Sequence, residues 1–210
     1  MIRVLVADDH AVLREGLRRI LEEYADLKVV AEAGSGDELM AALAGSPADV
    51  LVVDISMPGP GVFALLGRLR VEHPRLRCVV LTVHSAAQYA VRVLRAGAAG
   101  FLSKEQSPDL LVSAIRKVYG GGIFVSPSLA EMLAGNVASR HAGERHEALS
   151  DREFEVLVRI ASGQSIKVIS ADLSLSPKTV STYHSRVRKK LDLQSDAELT
   201  RYVLEHHLIP

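Results

Sequence analysis

The chain has 210 residues, of which 48% are hydrophobic, and its 25 basic residues balance its 25 acidic residues. This length suits one large domain or two small ones, and the charge balance means that any surface for nucleic acid must be local. A single cysteine, Cys78, excludes an internal disulfide. The sequence has no apolar run of about 18 residues and no signal-peptide core, so we expect a cytoplasmic protein without a membrane partner.

Short β-branched runs alternate with helical segments through the first part of the chain. The runs cover residues 2–7, 28–33, 50–53, 78–83 and 100–103, and the segments between them carry apolar residues at i, i+3 and i+4 spacing. Strand–helix alternation repeated five times predicts a parallel sheet with helices on both faces. Nearly continuous apolar strands fit this prediction, because both faces of such a sheet are buried.

After about residue 149 the strand pattern disappears, and we predict four short helices near residues 151–162, 166–173, 177–191 and 196–206. Ser150 with Glu153 is typical of a capping box, and Ser176 followed by Pro177 is typical of a helix start. Helices joined by a tight turn suggest a helix-turn-helix. The polar stretch before them reads as a linker, with a helical turn near 129–133. The predicted organisation is therefore a domain of 1-121, a linker of 122-148 and a domain of 149-210.

Three acids stand directly after predicted strands. Asp8 and Asp9 follow the first strand and Asp54 follows the third. Ligands of open α/β sheets bind at the carboxyl ends of the strands, so these carboxylates converge if the two strands are neighbours. A hard dication such as Mg²⁺ is the natural partner for such a cluster. For any one of these acids alone, capping of the following helix is an equally good interpretation.

Two further groups complete a chemically coherent set. Thr82 ends the fourth predicted strand, and Lys104 follows the fifth. An acid trio with a hydroxyl and an ammonium suits a phosphoryl-acceptor site, where one carboxylate attacks phosphorus and the other groups bind the phosphoryl oxygens. Lys104 alone would more often be a solvated surface charge, and the combination carries the prediction.

Residues 1–120 resemble a response-regulator receiver domain, because VLVADDH, VVDISMP, VVLTVH and GFLSK match the landmarks of that family in order. The resemblance implies a flavodoxin-like, doubly wound, five-stranded parallel α/β domain. It also implies that Asp54 is the phosphoacceptor. Mg²⁺ would be held by Asp8, Asp9, Asp54 and the carbonyl of Ser56.

The same resemblance implies roles for three more residues. Thr82 and Lys104 would sense the phosphoryl group, and Phe101 occupies the position of the switch aromatic, although it could equally be an ordinary core residue. One position departs from the family. Members usually carry Gly eight residues after the phosphoacceptor, where this chain has Val62 with Gly61 before it. We therefore expect altered geometry in the loop that follows the third strand.

The third predicted helix of the second domain concentrates basic charge and carries no acid. Its basic residues are Lys178, Arg186, Arg188, Lys189 and Lys190. Concentrated lysine and arginine on one helix suit DNA phosphates, whereas a solvated amphipathic helix is the ordinary alternative for such a charge run.

Residues 149–210 resemble the LuxR-type helix-turn-helix, through LSDREFEVL, the GQS turn, LSLSPKTVSTY and KKL. The resemblance implies an all-α four-helix module whose third helix enters the major groove. The implied DNA-contacting residues are Lys178, Thr179, Ser181, Thr182, Ser185, Arg186 and Lys189.

Together the two resemblances indicate the NarL/FixJ class of response regulators. They imply a transcription regulator and not an enzyme, phosphorylated by a sensor histidine kinase, binding double-stranded DNA as a homodimer, with RNA polymerase as a further candidate partner. One alternative is a phosphorylation-independent DNA-binding regulator that uses the first domain as a dimerisation scaffold. A second is a phosphatase or phosphotransferase with an aspartate nucleophile. Such an enzyme needs an acid two residues after the nucleophile, where this chain has Ser56.

Overall fold

The computed structural model describes residues 1–82, 87–127, 129–131, 145–206 and 208–209. The chain divides into two compact units, one of residues 1–83 and 93–126 and one of residues 84–92 and 127–210. The predicted end of the fourth strand at residue 83 and part of the predicted helical turn at 129–133 lie outside the described residues. Within these ranges, no helix is both long enough and apolar enough to cross a bilayer.

The first unit is built on a parallel sheet, which confirms the predicted α/β class. Six strands lie in the order β2-β1-β3-β4-β5-β6, and every pair is parallel. The five predicted strands are all present, and one strand that was not predicted adds to the edge. The strands are β1 (Ile2–Ala7), β2 (Leu27–Ala33), β3 (Val50–Asp54), β4 (Arg77–Thr82), β5 (Gly100–Ser103) and β6 (Phe124–Val125).

Helices connect the strands of this sheet. They are α1 (Ala11–Glu22), α2 (Gly36–Gly45), α3 (Val62–Glu72), α4 (Ala87–Ala96) and α5 (Pro108–Tyr119). Local sequence explains where two of them begin. Ser35 accepts a 3.2 Å hydrogen bond from the amide of Glu38 as the N-cap of α2, and α5 begins at Pro108, whose fixed φ suits the first turn.

The strand order places a topological switch point beside β1, because β2 lies on one side of β1 and β3 on the other. The register pairs Ala7 of β1 with Val53 of β3, so these two strands end side by side. β1 and β3 are almost wholly buried, apart from Arg3. The apolar core therefore fixes the two strand ends at which ligands of this architecture bind.

The sixth strand is held at the edge of the sheet by its pairing with β5 and by hydrogen bonds to the segment that precedes it. Phe124 and Val125 pair with Gly100 and Phe101 of β5. Arg77, the first residue of β4, donates hydrogen bonds of 3.2 Å to the carbonyl of Val118 in the last turn of α5 and to the carbonyls of Gly121 and Gly122 in the turn that precedes β6.

The second unit contains the four predicted helices, preceded by a short 3₁₀ helix (Arg145–Ala148). They are α6 (Asp151–Ala161), α7 (Ile166–Asp172), α8 (Pro177–Leu191) and α9 (Asp196–Glu205). The core between α6, α7 and α8 contains Val156, Ile169, Leu173 and Val180.

Serine side chains set the start of all four helices in this unit. Ser150, Ser165, Ser176 and Ser195 each accept a hydrogen bond from the amide three residues later. The predicted capping box is present, because Glu153 Oε2 also accepts a 2.7 Å bond from the Ser150 amide. These caps fix where α8 begins and therefore which of its residues face outward.

Candidate functional site

The three predicted acids lie together at the carboxyl ends of β1 and β3. Asp54 is the last residue of β3 and only 3% exposed, and Asp8, directly after β1, is 1% exposed. The amide of Asp8 donates a 3.0 Å hydrogen bond to Ala33 at the end of β2, which anchors the loop. The side chain of Asp9 is more open, at 31% exposure. The site therefore has two buried carboxylates and one that reaches solvent.

Lys104 joins this cluster as its counter-ion. Its Nζ lies 2.7 Å from Asp8 Oδ2 and 2.9 Å from Asp54 Oδ2. The backbone amide of Lys104 donates a 2.7 Å hydrogen bond to the carbonyl of Thr82. A backbone bond to β4 thus fixes the start of the loop from which the ammonium reaches both acids, which is not the geometry of a solvated surface lysine.

Burial and the neighbouring charges act against each other at Asp54. Removal from water raises the pKa of its carboxyl above the ordinary value, and the Asp8 charge acts in the same direction. The Lys104 ammonium and, least, the Ser56 amide oppose this rise. For Lys104, burial acts to lower the pKa, but the two carboxylates outweigh it and the pKa is raised. The lysine therefore stays charged and supports an ionised carboxylate.

The cluster also fits a divalent cation. Asp8, Asp9, His10 and Asp54 each offer a ligand atom, and these atoms all lie within 4.8 Å of one another. Asp54 Oδ1 accepts no hydrogen bond of normal geometry from the described residues, although its side chain is buried. An unsatisfied buried carboxylate oxygen beside further acids is what a hard, oxygen-binding cation requires.

Thr82 and Phe101 lie where the strand pattern predicts them. Thr82 is the last residue of β4, fully buried and paired with Ser103 of β5. Phe101 is a buried residue of β5, 2% exposed and paired with Val80 and Val125. The threonine therefore stands at the same edge of the sheet as Asp54, and the aromatic ring belongs to the core in this conformation.

The loop after β3 contains two glycines with positive φ. Gly61 is the N-cap of α3 and adopts a φ of 74°, so that Val62 becomes the first helical residue and is buried. Gly59 has a φ of 131°. The Pro60 ring lies against α2, since a Cβ added to Gly36 would stand 3.0 Å from its Cδ atom. The left-handed residue before α3 is therefore Gly61, and Val62 needs no glycine conformation.

Two residues whose role the sequence does not predict contact the acid cluster. His10 Nδ1 lies 2.9 Å from Asp9 Oδ1 and 3.2 Å from Asp8 Oδ1. Arg14 Nη1 donates a 2.5 Å hydrogen bond to the carbonyl of Asp8. Their positions two and six residues after Asp8 place them on the strand-to-helix connection and the first turns of α1, which is the only sequence signal that could have indicated them.

The predicted DNA-contacting residues form one outward face of α8. Lys178, Ser181, Thr182, Ser185, Arg186 and Lys189 are exposed, and Thr179 is partly buried. Thr179 Oγ1 lies 2.8 Å from Ser176 Oγ, which ties it to the helix start. Ser181 and Thr182 donate their hydroxyl protons to backbone carbonyls one turn earlier and keep their acceptor lone pairs outward.

Not all of the basic residues of α8 are available to a ligand. Lys190 Nζ lies 2.7 Å from Glu153 Oε2 and donates to the carbonyl of Ala148. Arg188 donates to the carbonyls of Leu193 and Gln194 after the helix. These two cations stabilise the unit internally, and the outward charge comes from the other three basic residues of this helix.

A flavodoxin-like α/β unit with an acid–lysine site, followed by a helix-turn-helix unit, defines a receiver-type protein with a DNA-binding-type module. Comparison with known families agrees. The model described as "Response regulator receiver domain" matches residues 4–116, and the model described as "Bacterial regulatory proteins, luxR family" matches residues 147–203.

Individual relatives match over nearly the whole chain. The response regulator UvrY of Escherichia coli (strain K12) is 37% identical over 209 residues, which cover 99% of this chain and 96% of UvrY. The response regulator GacA of Pseudomonas protegens is also 37% identical, over 100% of this chain and 98% of GacA. A structure of the Salmonella typhimurium RcsB response regulator superposes with a TM-score of 0.79 at 28% identity, covering 98% of each chain.

This chain belongs to the NarL/FixJ class of two-component response regulators, which join a receiver domain to a LuxR-type helix-turn-helix domain.

Proposed function

We propose that this response regulator accepts a phosphoryl group on Asp54 from a sensor histidine kinase and thereby controls its binding to double-stranded DNA. The observation that carries the proposal is the meeting of Asp54, Asp8 and Lys104 at one buried strand edge, with distances of 2.7 and 2.9 Å from the ammonium to the two acids. A solvated or merely capping set of residues has no reason to converge in this way.

In the proposed reaction, an oxygen of Asp54 attacks phosphorus and the donor's leaving group departs on the opposite side. Asp8, Asp9, Asp54 and the Ser56 carbonyl would hold Mg²⁺, which would neutralise charge at the phosphoryl oxygens. Lys104 is already beside the acceptor oxygen and forms an ion pair with the new phosphoryl group. Thr82, at the end of β4, offers the hydroxyl that senses it.

Phe101 is the proposed switch residue. It lies on β5 between β4, which ends in Thr82, and the edge strand β6. A shift of Thr82 toward the phosphoryl group would change the packing around this ring, which is buried in the present conformation. The proposed result is a change in the surface near β5 and α5 that promotes a homodimer.

The proposed DNA interface is the outward face of α8. Its exposed cations, Lys178, Arg186 and Lys189, would hold backbone phosphates, and its short hydroxyl side chains would approach base edges. An RcsB structure that is 28% identical, with a TM-score of 0.73, contains promoter P1flhDC and the phosphomimetic BeF₃⁻. That relative supports DNA as the ligand of this chain as well.

Phosphoacceptance is tested by incubating the purified protein with radiolabelled acetyl phosphate and Mg²⁺. We expect labelling of the wild type and none of Asp54→Asn. Asp26→Asn is the matched control, because Asp26 is an exposed carboxylate that pairs with Arg116 instead of Lys104. Equal labelling of Asp54→Asn and wild type would show that the acceptor lies elsewhere.

A phosphorylation-independent regulator remains the second candidate, because the loop at Gly61 and Val62 departs from the family pattern. The two are separated by DNA affinity measured over a range of salt concentrations with and without acetyl phosphate. We expect tighter binding by the phosphorylated protein and no response of Asp54→Asn. Identical binding curves with and without the donor would favour the scaffold function.

We propose that the protein is cytoplasmic and is not an enzyme, since Ser56 leaves no second acid at the position that an aspartate-based phosphatase needs. RNA polymerase is a further proposed partner at promoters. The domain boundaries 1-121, 122-148 and 149-210 are likewise proposals, which limited proteolysis within residues 122–148 would test.

A further inference from the structure

His10 stands at the open side of the acid cluster. Its Nδ1 atom is 2.9 Å from Asp9 Oδ1 and 3.2 Å from Asp8 Oδ1, and its backbone amide donates a 2.8 Å hydrogen bond to Asp8 Oδ1. The imidazole is 68% exposed, so packing does not explain its orientation. The ring nitrogen therefore lies among the same oxygens that a cation would bind.

Asp54 has a buried carboxylate oxygen without a hydrogen-bond partner of normal geometry among the described residues. Oδ1 receives no well-formed hydrogen bond from the residues that the structure describes, and its side chain is only 1% exposed. The ammonium of Lys104 pairs with the other oxygen, Oδ2. This buried oxygen lies beside Asp8, Asp9 and His10. Its lack of a partner indicates that a positively charged ligand binds between it and these residues.

The chemistry of the four donors distinguishes between cations. Carboxylate oxygens suit Mg²⁺, whereas imidazole nitrogen suits first-row transition metals such as Mn²⁺, Co²⁺ and Zn²⁺. The ligand atoms of Asp8, Asp9, His10 and Asp54 lie within 4.8 Å of one another, which is compact enough to surround one ion. A site made of oxygen ligands alone would discriminate less strongly against Mg²⁺.

We propose that His10 is a metal ligand of this site and makes it a mixed nitrogen–oxygen site that binds transition-metal dications in preference to Mg²⁺. On binding, Nδ1 gives its lone pair to the metal and the ring proton resides on Nε2. The inference deepens the proposed cation site at Asp54 and rests on it. His10 determines which metal the site prefers, and the carboxylates neutralise the charge of that metal.

The test uses the full chain and the metals alone. Calorimetric titrations with CoCl₂ and with MgCl₂ are compared for wild type, His10→Ala and Asp9→Asn. We expect His10→Ala to weaken Co²⁺ binding about tenfold or more, since even loss of a residue that merely orients a metal ligand typically costs that much. Mg²⁺ binding should change much less. Asp9→Asn should weaken both metals.

Direct coordination has its own signature. Pulsed electron paramagnetic resonance of the Mn²⁺-loaded wild type should show modulation from a coordinated histidine nitrogen, which should be absent in His10→Ala. Because His10 is exposed, the variant should fold normally, as an unchanged circular dichroism spectrum would verify.

Equal losses of Co²⁺ and Mg²⁺ affinity in His10→Ala, or no loss of either, would overturn the proposal, as would a wild-type spectrum without nitrogen coupling. These outcomes leave the phosphoacceptor proposal intact if Asp9→Asn still loses metal. Failure of both variants to affect metal binding would instead reject the cation site itself.

Discussion

Two glutamates on α6 show how position within one helix determines the behaviour of a carboxylate. Burial acts to raise the pKa of Glu153, but Lys190 and the bonds from Ser150 outweigh it, so the pKa is lowered. For Glu155, burial dominates over Arg152 and Arg159 and the pKa is raised. Folding therefore stabilises the ionised form of Glu153 and the protonated form of Glu155.

The two residues should consequently give opposite effects in stability measurements. The stabilising contribution of Glu153 is present above its ordinary pKa and is lost as the pH falls through its folded value. At pH 7 we expect Glu153→Gln to lower the free energy of unfolding by about 1 kcal/mol and Glu155→Gln to raise it. The contribution of Glu155 is present at low pH and is lost as the pH rises through its folded value.

Urea unfolding from about pH 3 to pH 8 measures both effects, each variant serving as the control for the other. The Glu155→Gln difference should shrink as the pH falls below the raised folded pKa of Glu155, whereas the Glu153→Gln difference should shrink only below the ordinary pKa of a glutamate. A Glu155→Gln protein that is less stable than wild type at pH 7 would contradict the assignment.

The thiol of Cys78 should be unreactive in the folded protein. It is buried in β4, and burial raises the pKa of its thiol to about 12. The thiolate is the reactive form, so the folded protein should resist alkylation at pH 8. Incubation with iodoacetamide followed by mass spectrometry should show modification only in denaturant. Rapid modification of the native protein would mean that β4 opens readily.

Residue types and strand ends were sufficient to predict that the acids and Lys104 lie together, because a parallel sheet brings the carboxyl ends of its strands to one edge. Asp8, Asp54 and Lys104 followed from that rule. The contribution of His10 could not be predicted, since its side chain direction depends on the turn after β1. Lys190 could not be told from Lys189 by sequence either, because only the packing of α6 against α8 decides which one meets Glu153.

Helix α8 has one face that stabilises the fold and another that we propose for DNA. Lys189 is exposed and has no ion pair within the described ranges, whereas its neighbour Lys190 pairs with Glu153. We expect Lys189→Ala to weaken DNA binding and to reduce the slope of log affinity against log salt by about one, with little change in thermal stability.

Lys190→Ala is the matched control for this experiment. It should lower the thermal midpoint by a few degrees, as expected for loss of about 1 kcal/mol in a unit of this size. Its salt dependence of DNA binding should stay close to wild type. Fluorescence anisotropy of labelled promoter DNA and thermal unfolding give the two readouts. Interchanged results would reverse the assignment of the two faces.

The position of the edge strand β6 depends on hydrogen bonds from the Arg77 side chain. The guanidinium binds one carbonyl at the end of α5 and two in the turn between α5 and β6, so Arg77→Ala should loosen that turn. We expect faster hydrogen exchange at Phe124, whose amide donates to Ala99, and a loss of about 1 kcal/mol in stability. Arg75→Ala, at an exposed position two residues earlier, is the control. Unchanged exchange at Phe124 would show that β6 holds without Arg77.

The long helices and strands were predictable because each contains enough residues to show a periodic pattern of apolar side chains. The strand β6 was not, since two residues show no periodicity and they follow a glycine-rich turn that is typical of a linker. The start of α3 depended on a backbone conformation, a positive φ at Gly61, that the sequence only hinted at through its departure from the family.

Acidic and basic groups are concentrated in different units of the molecule. Net charge is zero over the chain, while the outward face of α8 is basic and the receiver site gathers buried acids. A single helix-turn-helix module offers few base contacts, so tight binding is expected to need two copies on a two-fold DNA site. Phosphorylation at Asp54 would then act by changing the population of dimers.

Sedimentation of the full chain with and without acetyl phosphate and Mg²⁺ measures the fraction of dimer. The wild type should shift toward a dimer with the donor, and Asp54→Asn should not. On DNA, the phosphorylated dimer should protect two half-sites whose centres are about 34–36 Å apart, one helical turn or a multiple of it, because the two α8 helices must meet the major groove on one side of the duplex. The wild type could instead stay monomeric when phosphorylated and still bind DNA more tightly. That result would show that phosphorylation acts by releasing α8 and not by dimerisation.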